Sequence, residues 1–511
     1  MPVSRPPEHL DLAGLRARLG AADPDGRLVP LGIDTIVLGH GVAERVGEHV
    51  AARLTAAGRP ADRHARVVLL ADDVVIRRGG LALKPFIEDV LAARFTTVPV
   101  VLRDGHATLH ADEPVLATAA EAVAGADCVV TVGSGTITDI GKVATDRAGG
   151  LPLVVVQTAA SVDGFTDNVS VVLRDGVKRT IPSRWPDVIL TDVDVVAGAP
   201  SELNLAGFGE MMSTFCAPAD WRLAAAVGVD DGFHPAVTDL LGSLSGDLTD
   251  WSAELPEGGT TAAWELSRTL ARRGIATGVA GTTACLSGVE HLISHLLDMH
   301  HAAHGAPTGL HGAQVGVASL VATALWEDVL ARDDLDPSRL ALPEPDTVRA
   351  EVDAAFGALD ADGALARECW QDVEAKLSAI GRNWAQVTAA VADWPRLKDA
   401  FAPLVWSRKR VADSLHAAGV PASFAALDPS VGDDLARWAL ASCHRMRNRF
   451  TLVDLLDLLG EWTPETIDRA LAAAGVASQQ PSPDPPAPEL GTVDPEPGAA
   501  GPQNAEGEQP R

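Results

Sequence analysis

The chain has no tyrosine, and only five cysteines and five methionines in 511 residues. We read the missing tyrosine and the Ala, Gly, Val, Leu, Arg and Asp richness as genomic codon bias rather than function. The cysteines (Cys128, Cys216, Cys285, Cys369 and Cys443) are odd in number, scattered, and form no C-x-x-C pair. That argues against a disulfide framework and a cysteine-based zinc site, and fits a reducing cytoplasm. No apolar run reaches the ~18–20 residues of a membrane span. The opening MPVSRPPEHLDLAG lacks the apolar core of a secretory signal. Cations are also scarce: 41 Lys and Arg face 69 Asp and Glu, for a formal net charge of −28. So acidic a surface repels phosphate backbones and anionic lipid, which speaks against nucleic acid and membrane insertion. A protein of this charge that binds an anionic ligand needs a local positive well, made by helix N-termini, backbone amides or a metal.

What is present is apolar material for buried cores, 47% of all residues. At roughly 100–200 residues per domain, two domains with tails is the natural division. Residues 1–30 are rich in Pro, Arg and Asp around one short helical stretch and read as a loosely attached leader. From residue 31 to 200, apolar runs of strand length alternate with helical stretches. The runs are Thr35–Leu38, Val67–Leu70, Val98–Leu102, Cys128–Val132 and Leu153–Val156; the helical stretches include Val42–Ala57 and Glu113–Ala124. Alternation of this kind predicts an α/β Rossmann-like domain whose parallel sheet is covered on both faces. From 201 to 477 the strand signal fades and Ala/Leu-rich stretches such as Ala262–Arg273, Gly309–Trp326 and Asp434–Arg447 predict an all-α second domain. Residues 478–511 are Pro, Gly, Gln and acid with almost no large apolar group. Such a segment buries too little surface to offset ordering entropy, so a disordered tail is expected.

Three segments carry candidate chemistry. In Asp127–Lys142 an apolar strand ends at Gly133-Ser134-Gly135-Thr136, and a helix starts near Thr136. Glycines let backbone amides approach a ligand, and a helix N-terminus attracts a pyrophosphate. A bare Gly-x-Gly is equally at home in a plain βα turn, and its place at the fourth strand sets it apart from the Rossmann fingerprint. The adjacent Asp72 and Asp73, after the second strand, fit a cofactor ribose or a plain loop. Next, Thr158, Ser161 and Asp163 follow the fifth strand, at the end where open α/β sheets bind ligands; Ser and Asp are also ordinary turn residues. Finally, His291 and His295 stand at i and i+4 on one helix face. His311 opens another apolar helix, and Ala206–Met212 places Glu210 at the start of a helix rich in apolar groups. One carboxylate and two imidazoles make a reasonable catalytic zinc set, although His300, His301 and His304 make the region His-rich in any case.

Taken in order, these motifs resemble the glycerol-1-phosphate dehydrogenase branch of the superfamily that also holds glycerol dehydrogenases, iron-containing alcohol dehydrogenases and dehydroquinate synthases. The resemblance spans about residues 30–460. It rests on Gly133-Ser-Gly-Thr-Ile-Thr-Asp139 with Gly141-Lys142, Thr158-Ala-Ala-Ser161-Val-Asp163-Gly164, and Asp187–Pro200. It continues through Ala206-Gly-Phe-Gly-Glu210 with Asp220-Trp221, Ser287-Gly-Val-Glu-His291, and Leu310-His311-Gly312. It implies zinc ligands at Glu210, His291 and His311, and NAD or NADP phosphate contacts at Gly133, Ser134, Gly135, Thr136 and Asp139, with Thr158 and Ser161 nearby. It places Asp163 on the substrate side. His295 then suits a proton relay, and Lys142 or Lys178 a substrate phosphate.

Two departures stand out. The dehydrogenases usually carry Asp where this chain has Glu210, as the dehydroquinate synthase branch does, and the common His-Gly-Glu is His311-Gly312-Ala313 here. The expected reaction is interconversion of dihydroxyacetone phosphate and sn-glycerol-1-phosphate with NAD(P)H, on a small phosphorylated substrate, with a homo-oligomer allowed. A sugar-phosphate cyclase of the dehydroquinate synthase type is the first rival, favoured by Glu210 and opposed by Asp220-Trp221. Another glycerol or polyol dehydrogenase is the second, and a catalytically idle binding protein the third.

Overall fold

The computed structural model describes residues 6–106, 109–174, 177–244 and 246–476, with the backbone alone for Arg174, Val177 and Lys178. The segment 478–511, expected to be disordered, lies outside the described residues.

Seven strands form the main sheet: β1 (Glu8–His9), β2 (Thr35–Gly39), β3 (Arg66–Ala71), β4 (Thr96–Val101), β5 (Cys128–Gly133), β6 (Leu153–Gln157) and, past a hairpin of β7 (Val169–Arg174) and β8 (Val177–Pro182), β9 (Val188–Asp192). Their spatial order is β1-β2-β9-β6-β5-β3-β4, all parallel except β1. Alternate residues of each strand enter different cores. Val68, Leu70, Val129 and Val155 pack on one face, and Val67, Leu69, Val130 and Val154 on the other. Burial on both faces is why these strands read as continuous apolar runs rather than as alternating patterns.

The leader is a correction. Residues 8–22 are an integral edge of the fold: β1 pairs antiparallel with β2, setting Glu8 opposite Leu38, and helix α1 (Leu12–Ala22) buries Leu12, Leu15 and Leu19 in the sheet's core. Trp264 Nε1 donates to Glu8 at 3.0 Å, fastening this edge to the helical part. The Pro- and charge-rich composition masks that short apolar stripe. Strand β9, in the middle of the sheet, also has no counterpart in the sequence reading, because its run is short and bounded by acids.

Helices follow from residue 193 onward. Those that matter for the site are α2 (Gly135–Arg147) after β5, α3 (Ser201–Met211), α4 (Thr260–Ala280), α5 (Val289–Ala303), α6 (His311–Leu330) and α7 (Ala364–Arg382). α6 is long and apolar enough to cross a membrane by length and composition, but 78% of its most apolar window is buried inside the fold. It is the central helix of the second core.

Candidate metal and cofactor site

Register brings the two N-terminal motifs together. Gly133 at the end of β5 pairs with Gln157 at the end of β6, and the Thr158 amide donates to the Gly133 carbonyl at 3.1 Å. The Gly133–Thr136 turn and the Thr158–Asp163 loop therefore lie side by side at the carboxyl edge of the sheet, where such folds bind ligands. A Cβ on Gly133 would come within 2.7 Å of Ile137, so glycine is what lets the strand turn directly into α2. The first-turn amides of this 13-residue helix have no partners within the helix, and the macrodipole adds partial positive charge there.

Asp139 does not face that turn. Its carboxylate takes the Lys142 ammonium at 3.0 Å and the Val171 amide at 3.1 Å, pinning α2 to the β7–β8 hairpin. The expectation that Asp139 contacts cofactor phosphate is corrected accordingly. Lys142 is corrected with it. Its side chain is fully buried, and Nζ donates to Asp167 at 2.7 Å, to the Gly164 carbonyl at 2.8 Å and to the Val169 carbonyl, leaving nothing for a substrate phosphate. The side chain of Lys178 lies outside the described residues. Asp72 and Asp73 pair with Lys84 and with Arg103, the latter at 2.8 Å.

The metal candidates converge from three helices. Glu210 lies in the last turn of α3, not at a helix start as the sequence suggests, His291 on α5 and His311 at the first position of α6, with one ligand atom from each within 4.8 Å of the others. His291 Nε2 is 3.1 Å from Glu210 Oε1, and His311 Nε2 is 3.8 Å from Glu210 Oε2. Backbone packing makes this possible: a Cβ on Gly209 would sit 2.3 Å from the Gly312 carbonyl oxygen, and one on Gly312 2.0 Å from that of Ala206. Only glycine on both helices lets α3 and α6 approach closely enough for Glu210 to meet His311.

The imidazoles are aimed from behind. His291 Nδ1 lies 2.8 Å from Glu290 Oε1, which also accepts from the Gly288 amide, leaving Nε2 to face Glu210. His311 Nδ1 lies 2.9 Å from Ser294 Oγ, whose hydroxyl donates to Gln314 Oε1 at 2.7 Å; Gln314 in turn donates to Asp298. Such partners fix the tautomer of a metal-binding histidine. Burial by itself raises the Glu210 carboxyl, but His291, His311 and Arg273 outweigh it and hold the group down to about 2. Burial opposes the charge on His291, but Glu210 and Glu290 carry its imidazolium up to about 9. Glu210 Oε2 is buried without a hydrogen-bond partner among the described residues. An orphaned carboxylate oxygen between two oriented imidazoles fits a divalent cation.

His295 stands beside this cluster, its ring centroid 5.2 Å from that of His311. Asp163 reaches the cluster through a residue the sequence reading missed. Arg273, fully buried on α4, donates to Asp163 Oδ2 at 3.2 Å and to Ser213 Oγ at 3.0 Å, and stands 3.7 Å from Glu210 Oε1. Burial and the nearby Glu210 charge raise the Asp163 carboxyl. No local signal marks Arg273, since Arg272-Arg273 reads as the exposed face of an Ala/Leu helix.

Comparison with known proteins gives a consistent picture. A family profile described as iron-containing alcohol dehydrogenase matches residues 45–200. The chain is 33% identical over 233 residues to a protein of Halalkalibacterium halodurans named glycerol-1-phosphate dehydrogenase, NAD(P)+-linked; the match covers 45% of this chain and 57% of that protein. It is 32% identical over 290 residues to a protein of the same name from Natronomonas pharaonis, covering 56% of this chain and 76% of the relative. Among solved structures, glycerol dehydrogenase from Schizosaccharomyces pombe superimposes with a TM-score of 0.52 at 16% identity, over 88% of this chain and 95% of that one. This last similarity concerns the fold alone.

Proposed function

We propose, from the premise that this chain belongs to the glycerol-1-phosphate dehydrogenase family, that it interconverts dihydroxyacetone phosphate and sn-glycerol-1-phosphate with NAD(P)H. In the reducing direction, dihydroxyacetone phosphate, NAD(P)H and a proton give sn-glycerol-1-phosphate and NAD(P)+. The observation that carries the reading is the convergence of Glu210, His291 and His311 around one orphaned buried carboxylate oxygen.

Glu210, His291 and His311 are the residues that would hold a divalent cation, and zinc suits a set of one carboxylate and two imidazoles. Such an ion would supply Lewis-acid polarisation of a substrate oxygen. Gly133, Ser134, Gly135 and Thr136 offer the amides for a dinucleotide pyrophosphate, with Thr158 and Ser161 beside them; a nicotinamide there would carry the hydride. Glu290 and Ser294 keep the two imidazoles turned inward. Asp163, steadied by Arg273, orients a substrate hydroxyl. His295, next to the cluster and lining a cavity, exchanges the proton at its imidazole. Five buried thiols with no disulfide suit the cytoplasm as the working compartment.

The test is net oxidation of NAD(P)H by purified protein with dihydroxyacetone phosphate, before and after chelation. Activity that falls on chelation and returns with metal supports the reading. Full activity after complete metal removal rejects the role of the metal. Cofactor-dependent turnover of a sugar phosphate with no net NADH change would instead favour a cyclase.

A further inference from the structure

Lys142 is consumed inside the fold and offers the phosphate of a phosphorylated substrate nothing. A cavity of about 300 Å3 is bordered by His295 and lined in part by Arg179, Arg447, Asp298, Glu368 and Asp372. Its size is at the small end for a small-molecule site. Because His295 both lines it and stacks on His311, cavity and metal cluster share one wall.

The charges in the cavity are unevenly satisfied. Arg179, on β8, pairs with Glu368 of α7. Arg447, half-buried, makes no hydrogen bond and no ion pair within 4.0 Å among the described residues. Burial and the neighbouring Arg179 charge lower its pKa, against the raising pull of the Asp372 and Glu368 carboxylates. A partly desolvated guanidinium without a hydrogen-bonded partner is unfavourable, and a second arginine nearby adds to the cost. A dianion bound between the two guanidiniums offsets both costs, with Asp298, Glu368 and Asp372 as the opposing charges in the lining. The planar fork of Arg suits a phosphate bidentately, which a lysine ammonium does not match.

We infer that this cavity is the subsite for the phosphate monoester of the substrate, held chiefly by Arg447 with Arg179, so that His295 and the metal cluster face the carbon chain. The inference rests on the reading of the substrate as a phosphorylated ketose. It supplies the specificity element that reading lacks, namely how a phosphorylated substrate is told from a bare polyol.

The experiment compares wild type, Arg447→Ala, Arg447→Lys and Arg179→Gln, each checked for folding by thermal melt and for metal content. In the kinetic arm, Arg447→Ala raises KM for dihydroxyacetone phosphate by at least about tenfold, more than it lowers kcat. Turnover of unphosphorylated dihydroxyacetone and KM for NADH and NADPH stay within about twofold. Arg447→Lys and Arg179→Gln give intermediate KM values. In the binding arm, inorganic phosphate broadens its 31P resonance in the presence of metal-loaded wild type, and less so with Arg447→Ala. This arm stands even if dihydroxyacetone phosphate proves not to be the substrate, so the two readings fail separately. The inference is overturned if phosphate binds both proteins equally or neither. It is also overturned if the KM effect falls on NADPH alone, which would assign the site to a cofactor phosphate.

Discussion

Glu290 Oε1 lies 2.8 Å from His291 Nδ1 and accepts the Gly288 amide at the same distance, so one carboxylate both caps the start of α5 and fixes which nitrogen of His291 faces the metal cluster. Outer partners of this kind typically contribute 10–100-fold in metal affinity. Glu290→Ala is therefore expected to weaken metal binding by about that factor, measured by competition with a chromophoric chelator. Glu290→Gln, which keeps an acceptor oxygen, recovers part of the loss. Unchanged affinity in the Ala variant would show that His291 is oriented by something else.

The close passage of α3 and α6 predicts a packing effect. Gly209→Ala puts a methyl 2.3 Å from the Gly312 carbonyl, where overpacking costs about 1–3 kcal/mol. Forced apart, the helices carry Glu210 away from His311. The urea midpoint and the bound metal should fall together; a variant with normal stability and full metal would mean that the contact is looser than described.

Arg273 is the buried cation between buried Glu210 and half-buried Asp163. Replacing it with Met leaves Asp163 and Glu210 without that partner, and breaking a buried pair this way costs about 3–5 kcal/mol. A loss below about 1 kcal/mol in urea unfolding of the metal-free protein would contradict the bridging role.

Asp167 and Asp220 set a pH dependence. Burial, with nearby Asp139 and Glu290 respectively, pushes both carboxyls up to about 7, despite Lys142 beside Asp167. An unfolded Asp titrates near ~3.9, so between roughly pH 4 and 7 the folded chain holds protons that the unfolded chain has released. Stability from these groups is full below that window and is lost as pH rises through it, by up to about 1.4 kcal/mol per pH unit per proton. Glu210, held at about 2, gives the opposite slope, but only below ~4.3. The urea midpoint should therefore fall from pH 5 to pH 8, with a shallower slope in Asp220→Asn. Parallel slopes in the two proteins would remove Asp220 from the account.

Much of this is legible in the sequence, for identifiable reasons. Doubly buried strands such as Val67–Leu70 and Cys128–Val132 announce themselves as short β-branched runs. Glu210, His291 and His311 stand in motifs whose glycines turned out to be packing contacts. What stayed hidden is non-local. Arg273 meets partners 110 and 63 residues away, and Lys142 is buried by a hairpin that the periodicity did not show. Arg447 lines a cavity only because α5, α7 and β8 close around it. Hydrophobic period reports which face is inside, but not which buried charges meet there.

Elemental analysis of purified protein alongside Glu210→Ala tests whether Glu210, His291 and His311 hold a metal. Close to one zinc or other divalent transition metal per chain is expected in the wild type, and almost none in a variant that still melts cooperatively. Metal retained at full stoichiometry in Glu210→Ala, or a folded wild type that takes up none, would contradict that assignment.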